Sequence, residues 1–390
     1  MSLARTRLRA YVVYGGLGTA VEDGAAVVQD ADGDRRLLFV GDAGEATRRW
    51  PDADEVDAGF ALSPPPVNAH LHLDLTSMPH VEDDYEAFVR AVVRHGRGGR
   101  RGVEAAREGL AQLAAAGTTT VGDIVADEET MRLLLATPGV QGVAYWEVFA
   151  PDPADADAVF DATVERLRAF RALQRPGGMR VGLSPHAPHT VSAPLLARLA
   201  RLASANDLPM QIHVAESPSE TRLHRYGDGP LRELMGPLLA GFRPSGRSPV
   251  AYLAELGVLE ARPTLVHGVH VDEADVREIQ RAGSAVVHCP RSNRSLRTGR
   301  FPWELYARHG VSVAFGTDSR GSSPSLDVQE EVAAAARWHG RHANPGALVR
   351  AAVKGGHRAL GVTPPRVGRG DPADGLVAWH VEGPGAVSDV

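Results

Sequence analysis

The chain has 390 residues, 43% of them apolar, and a formal net charge of −6. Such a composition excludes a disordered chain and leaves enough core for one large domain with an appendage, or for two domains. No apolar run reaches the roughly 18–20 residues of a membrane helix, and no charged-then-apolar leader opens the sequence. The diffuse negative charge gives no case for nucleic acid or an anionic membrane as partner. A single cysteine rules out an internal disulfide framework, so a reducing cytoplasm is the expected location. Lys354 is the only lysine, so any chemistry that needs one must use it.

The first sixty residues read as short strands and turns, in "YVVYGG", "GAAVVQDADGDRRLLFVG" and "EVDAGFALSPPP". Asp32-Gly33 between two apolar runs predicts a hairpin. "GGLG" at 15–18 resembles a phosphate loop only superficially, because no helix follows it, and reads as a turn.

From residue 64 to about 340 the pattern is apolar strand, then amphipathic helix, repeated. The strands are "VNAHLHL", "TTTVGDI", "GVAYWEVF", "MRVGLSP", "PMQIHVAE", "PTLVHGV", "SAVVHCP" and "VSVAFGTDS". Between them "GVEAAREGLAQLAAAG", "ADAVFDATVERLRAFRAL", "APLLARLARLASAN", "SPVAYLAELG", "DEADVREIQRAG" and "DVQEEVAAAARWHG" carry apolar residues at three- and four-residue steps. This alternation predicts an α/β fold, a (β/α)8 TIM-like barrel rather than an open doubly wound sheet. The tail "ALGVTPPRVGRGDPADGLVAWHV" returns to turns and a short strand. It is expected to join the N-terminal strands in a small β-sandwich domain made from 1–62 plus 362–390, with the barrel over 63–361. "RHGRGGRRG" at 94–102 reads as a solvated flexible loop, or else as an anion contact at the rim of a site.

In a barrel the carboxyl ends of the strands share one face, and catalytic groups gather there. The polar residues at those ends are His70, His72, Asp123, His186, His213, His267, His288 and Asp318. His70 and His72 leave one face of a strand about 6–7 Å apart, close enough for both imidazoles to reach one cation. Alone, a His-x-His pair is weak evidence for a metal. With His213 and Asp318 it becomes a three-imidazole, one-carboxylate set suited to Zn or Fe, with a position left for water. Glu216, three residues past His213, suits a general acid/base, and His267 suits orienting the water, with His270 as second choice. His186 is placed to touch substrate, and neighbouring His189 reads as a loop residue. His288 and Cys289 are adjacent, so they point to opposite faces and form no nucleophilic pair; Cys289 reads as structural.

In this order the motifs "PPPVNAHLHL", "LSPHAPHTVS", "QIHVAES", "ARPTLVHGVH", "HCPRSN" and "GTDS" resemble the amidohydrolase superfamily, specifically its mononuclear deaminase and chlorohydrolase branch. The resemblance spans nearly the whole predicted barrel. It implies His70, His72, His213 and Asp318 as ligands of one divalent transition metal per subunit, with Glu216, His267 and Asp318 as the catalytic residues. Two-metal members bridge their ions with a carboxylated lysine from the fourth strand; "MRVGLSP" has none, and Lys354 lies far beyond the eighth strand. In the mechanism the family implies, Asp318 accepts a proton as water attacks an amidine-like carbon. Glu216 protonates the adjacent ring nitrogen and then the departing ammonia, while His267 stabilises the tetrahedral centre.

Within the branch the chain is most similar to the aminodeoxyfutalosine deaminases of menaquinone biosynthesis, through "LSPHAPHTVS", "AVVHCPRSN" and "VRAAVKGG". Those enzymes act on an adenine nucleoside that carries a benzoate-type carboxylate. Substrate contacts are expected from His186, Arg291 and Ser319, with Arg222, Arg294 and Arg320 as further arginines for the carboxylate. The long step from His213 to His267 is expected to supply a lid over a small-molecule, nucleoside-like substrate. The competing readings are a deaminase of S-adenosylhomocysteine, methylthioadenosine or guanine, an amide-ring hydrolase or chlorohydrolase, and a binding protein that has lost catalysis. A homodimer is expected only by family habit.

Overall fold

The structure is a computed structural model that describes residues 4–15 and 20–381. Positions 16–18 of the expected "GGLG" turn and residues 382–390 of the expected β tail lie outside the described residues.

Both ends of the chain meet in one six-stranded sheet. Its strands are β1 (Ala4–Tyr14), β2 (Ala20–Ala31), β3 (Asp34–Asp42), β4 (Asp54–Asp57), β5 (Ala61–Ser63) and, from the far end, β15 (Val377–Trp379). Asp32 and Gly33 join β2 to β3 with φ of 53° and 91°, the left-handed pair that a tight hairpin turn requires. β15 runs antiparallel to β5, and buried Trp379 donates its indole N–H to Ser63 Oγ at 2.7 Å. This contact ties the C-terminal strand to the chain just before the first parallel strand.

The remaining strands are β6 (Val67–His72), β7 (Thr120–Val125), β8 (Gln141–Val148), β9 (Met179–Pro185), β10 (Gln211–Val214), β11 (Thr264–His267), β12 (Val286–His288), β13 (Val313–Phe315) and β14 (Asp318–Ser319). They pair in parallel in two sheets, ordered β14-β6-β7-β8-β9 and β10-β11-β12-β13. Every residue of β6 and β7 is buried, as expected where a parallel strand is covered on both faces. Helices supply the outer cover. In Ala193–Ala205, for example, Leu195, Leu196, Leu199, Ala200 and Ala203 form one buried stripe. The predicted helix at 272–283 has a capping box between Asp272 and Asp275 and ends at Gly283 with φ 74°.

Two segments differ from expectation. The first part of the basic patch at 94–102 is not a loop, because Arg94–Arg97 form the last turn of a helix, Tyr85–Arg97. Between β10 and β11 the chain forms helices Pro218–Tyr226 and Pro230–Met235 and a turn Gly236–Leu239. Their side chains Leu223, Leu231, Met235 and Leu239 share a small apolar core with Tyr85. The expected lid is therefore a packed helical cap, braced by the helix that the basic patch concealed.

Candidate active site

The last predicted strand, "VSVAFGTDS", is interrupted at Gly316, splitting it into β13 and β14. A Cβ at Gly316 would stand 2.7 Å from the His70 carbonyl and 2.8 Å from the His70 Cβ, so only glycine permits this approach. The close crossing brings Asp318 against β6. Asp318 Oδ1 lies 3.5 Å from His70 Nε2 and 3.6 Å from His72 Nε2, and His72 Nε2 lies 3.3 Å from His213 Nε2.

Neighbouring groups fix which ring nitrogen faces inward. Gln211 donates its amide to the Ala69 carbonyl at 3.0 Å, turning Oε1 toward His70 Nδ1 at 2.6 Å. His70 therefore carries its proton on Nδ1, and Nε2, buried and without a hydrogen-bond partner, presents a lone pair. His213 Nδ1 donates to the His186 carbonyl at 2.8 Å, which likewise leaves Nε2 with a lone pair. Ser292 and Ser322 donate to Asp318 Oδ2 at 2.7 and 3.0 Å, leaving Oδ1 for the cluster.

Four donors that share one cation at about 2.0–2.1 Å in a tetrahedral array stand roughly 3.3–3.4 Å apart. The 3.3–3.6 Å separations, the inward lone pairs and the orphaned His70 Nε2 fit one divalent metal ion held by His70, His72, His213 and Asp318. Burial, with the charge of His70, pushes His72 down to about 3, so its imidazole stays neutral. Burial alone would raise Asp318, but His70, His267 and His72 hold its carboxyl well below the usual range. Neutral imidazoles and an ionised carboxylate are the forms that ligate. Lys354 is exposed, well away in Ala351–Gly355.

Glu216 and His267 stand beside this set, with Glu216 Oε1 3.5 Å from His267 Nε2. Strand alternation would send His267 outward with Leu265, but its φ of 71° turns the ring into the cavity. Asn293 Nδ2 faces His267 Nδ1 at 3.3 Å, so the ring proton sits on Nε2, toward Glu216. Glu216 is held by its own backbone N–H, which donates to Glu220 Oε2 at 2.8 Å. Burial, together with the charges of Asp318 and Glu220, pushes the Glu216 carboxyl well above its usual range.

These groups close the inner end of a cavity of about 710 Å³, which His186 and Ser319 also line. Thr190 Oγ1 donates to the Ala187 carbonyl at 3.2 Å and so accepts from His186 Nδ1 at 2.8 Å, which leaves the other His186 nitrogen as an acceptor. Other expectations fail. Arg291 does not line the cavity: its guanidinium is engaged by Glu331 at 2.6 Å, by Glu330 and by Ser325, all near the helix that follows β14. Arg222, Arg294 and Arg320 do not line it either, and Arg222 is paired with Asp228 at 2.8 Å. His288 turns away from the cavity, stacked on Phe301 at 4.2 Å and 3.1 Å from His339. Asp123 accepts the Leu73 backbone N–H at 2.8 Å and is structural, Cys289 is buried, and His270 bonds the Thr298 carbonyl outside the cavity.

Some residues that shape the site were not singled out from the sequence. Gln211 sits two residues before His213, and that same-face spacing was the available signal. Ser292 and Asn293 lie inside "HCPRSN". His189, read only as a loop residue, is buried and lines the cavity. With Glu220 and His224 it forms a second buried group, but His189 and Glu220 stand 4.0 Å apart there, wider than a shared small cation allows. Arg101 bridges Asp74 at 2.6 Å and Glu147 at 3.2 Å on the cavity wall.

The amidohydrolase family model matches residues 61–383. An aminodeoxyfutalosine deaminase from Deinococcus radiodurans is 44% identical over 95% of this chain and 89% of its own length. A 5-methylthioadenosine/S-adenosylhomocysteine deaminase from Nitratidesulfovibrio vulgaris is 29% identical over 94% of this chain and 81% of its own. Among solved structures, an adenosine deaminase from Xanthomonas campestris with bound zinc superposes with a TM-score of 0.69 at 25% identity, covering 95% of this chain and 83% of that one.

Proposed function

The chain belongs to the amidohydrolase family, and on that footing we propose that it is a hydrolytic deaminase of an adenine-type nucleoside, with aminodeoxyfutalosine as substrate. The observation that carries the reaction class is the Glu216–His267 pair, 3.5 Å apart, set beside the three-histidine, one-aspartate donor set at the closed end of the cavity. The substrate rests on the 44% identity to the Deinococcus radiodurans enzyme. Deamination of methylthioadenosine or S-adenosylhomocysteine is the second reading, favoured by the Nitratidesulfovibrio relative.

His70, His72, His213 and Asp318 would hold one divalent ion, zinc or iron, with zinc supported by the Xanthomonas relative. Its contribution when bound is to acidify water and polarise the bond under attack. Asp318, steadied through Oδ2 by Ser292 and Ser322, takes the proton released as the water oxygen bonds to the ring carbon that bears the amino group. Glu216 gives a proton to the adjacent ring nitrogen, and His267 donates Nε2–H to the attacking oxygen and steadies the tetrahedral centre. The carbon–nitrogen bond then breaks. Glu216, reprotonated by the new hydroxyl, passes a proton to the departing amine; ammonia leaves and a ring carbonyl remains. His186 accepts a hydrogen bond from a sugar hydroxyl, and Ser319 contacts the ring.

For the architecture we propose a closed (β/α)8 barrel over 63–361 and a small β-sandwich domain from 1–62 plus 362–390. Closure is supported at one seam by the Leu183–Met210 bridge between β9 and the start of β10, and at the other by β14 continuing β13 beside β6.

Ammonia release from adenosine, methylthioadenosine, S-adenosylhomocysteine, guanine and aminodeoxyfutalosine tests the reading. Aminodeoxyfutalosine should give the largest kcat/KM. If no adenine nucleoside is turned over, the proposal is wrong.

A further inference from the structure

We infer that Glu220 is a positioning residue for the proposed acid/base: it fastens the main chain of Glu216 to the helical cap and so sets where the Glu216 carboxyl points. This rests on the deaminase reading, because it assigns how the proton-handling group of that reading is held. The stretch "SPSE", Ser217 to Glu220, has the spacing of a capping box at the start of helix Pro218–Tyr226. Ser217 Oγ accepts the Glu220 N–H at 3.2 Å, as that motif requires. In the usual box the glutamate side chain reaches back to the N–H of the capping residue itself. Glu220 reaches one residue further, and its Oε2 accepts the Glu216 N–H at 2.8 Å.

The backbone that carries Glu216 is strained and held from two elements. Ala215 has a φ of 53°, a left-handed turn that a residue with a Cβ adopts at a cost. Its carbonyl accepts the N–H groups of Val269 and His270 at 2.9 Å each, which ties it to the segment that follows His267. Glu220 supplies the second hold, from the cap. Three residues on, Leu223 sits in the apolar core that the cap shares with Tyr85, so Glu220 moves only with that core.

Glu220 is 2% exposed, and its Oε1 has no hydrogen-bond partner; His189 Nδ1 stands 4.0 Å from it. Burial raises this carboxyl to about 7, against the backbone N–H groups of Glu216, Ala215 and Ser217, which lower it. A buried acid with one oxygen left unpartnered is costly, and what the other oxygen holds accounts for its presence. Ionised or neutral, the carboxyl keeps an oxygen that accepts the Glu216 N–H, so the hold does not depend on its charge.

Glu220→Leu fills a similar volume without an acceptor. With aminodeoxyfutalosine it should lower kcat by about 10²-fold, the cost of a small misplacement of a reacting group, while KM and metal content hold. Glu220→Gln, whose amide oxygen still accepts, should recover most of that loss. In a Glu216→Gln background, Glu220→Leu should lower kcat no further, because its effect runs through Glu216; a merely structural role would lower it by the same factor in both backgrounds. Should Glu220→Leu not fold, Glu220→Asp, one methylene too short to reach, carries the same expectations. Crystal structures of the zinc-loaded variants read the position without turnover. The Glu216 carboxyl should leave its 3.5 Å approach to His267 when Glu220 is Leu or Asp and keep it when Glu220 is Gln. Wild-type kcat in Glu220→Leu, equal losses in both backgrounds, no recovery with glutamine, or an unmoved Glu216 overturns the inference and leaves the deaminase reading intact. Absence of ammonia from any adenine nucleoside with wild type, while Glu216 is displaced in the Glu220→Leu crystal, overturns the deaminase reading and keeps Glu220 as the hold on Glu216.

Discussion

Glu216 stands 3.5 Å from His267 Nε2 and lines the same cavity as His72, His213 and Asp318 of the proposed metal set, where it is proposed as the acid/base. Glu216→Gln should therefore retain the metal and lose turnover by roughly 10²–10⁴-fold, the range for a positioned acid/base. Metal analysis and kcat on one preparation check this; near-full activity would remove Glu216 from the mechanism. His224 offers a separate test, on stability. It is buried among Phe242 and Tyr252 with neither ring nitrogen partnered, and burial lowers it to about 3. Between pH 6.5 and about 3 the unfolded chain holds a proton on this ring that the folded chain refuses. Stability accordingly falls as pH drops through that window, by up to about 1.4 kcal/mol per unit. His224→Phe should flatten the acid limb of a Tm-against-pH curve. An unchanged limb would show that His224 does not set it.

At the level of elements, the interrupted strand is the feature on which the site depends most. Gly316→Ala places a methyl group 2.7 Å from the His70 carbonyl, on backbone that cannot swing away. The expected result is a lower Tm, by an amount typical of an overpacked core at about 1–3 kcal/mol, with weakened metal retention because Asp318 moves with the strand. A variant with wild-type Tm and metal content would disprove the tight-crossing argument. The parallel strands were legible in the sequence because each is a short apolar run between helical patterns, and "MRVGLSP" corresponds to β9 residue for residue. Helix Tyr85–Arg97 was hidden for a physical reason. Its apolar stripe, with Phe88, Val89 and Val92, faces the cavity rather than the parallel strands, and its end runs into Gly-Arg repeats that read as loop.

Across the whole molecule, the proposed donor set was legible because His70, His72, His213 and Asp318 each lie at or near the carboxyl end of a predicted strand whose direction the βα alternation specifies. His267 lines the cavity, although the left-handed backbone that turns it inward leaves no mark in a non-glycine sequence. His288 and Arg291 show the limit. His288 shares a strand face with outward Val286, and the partners of Arg291 lie some 40 residues downstream, where composition gives no warning. Of the arginines that do line the cavity, Arg90, Arg94 and Arg97 come from the helix the sequence concealed and Arg101 follows it. Taken together, the fold brings distant strand ends together at one end of the cavity, and loss of the ion proposed there should lower Tm as well as activity.

The most direct measurement is a titration of metal-stripped protein with zinc or iron(II), following ammonia release from aminodeoxyfutalosine. The account predicts ammonia in proportion to added metal, with a break at one ion per chain. Ammonia release that is independent of metal, a break at two ions per chain, or a hydrolysed product formed without ammonia would contradict it.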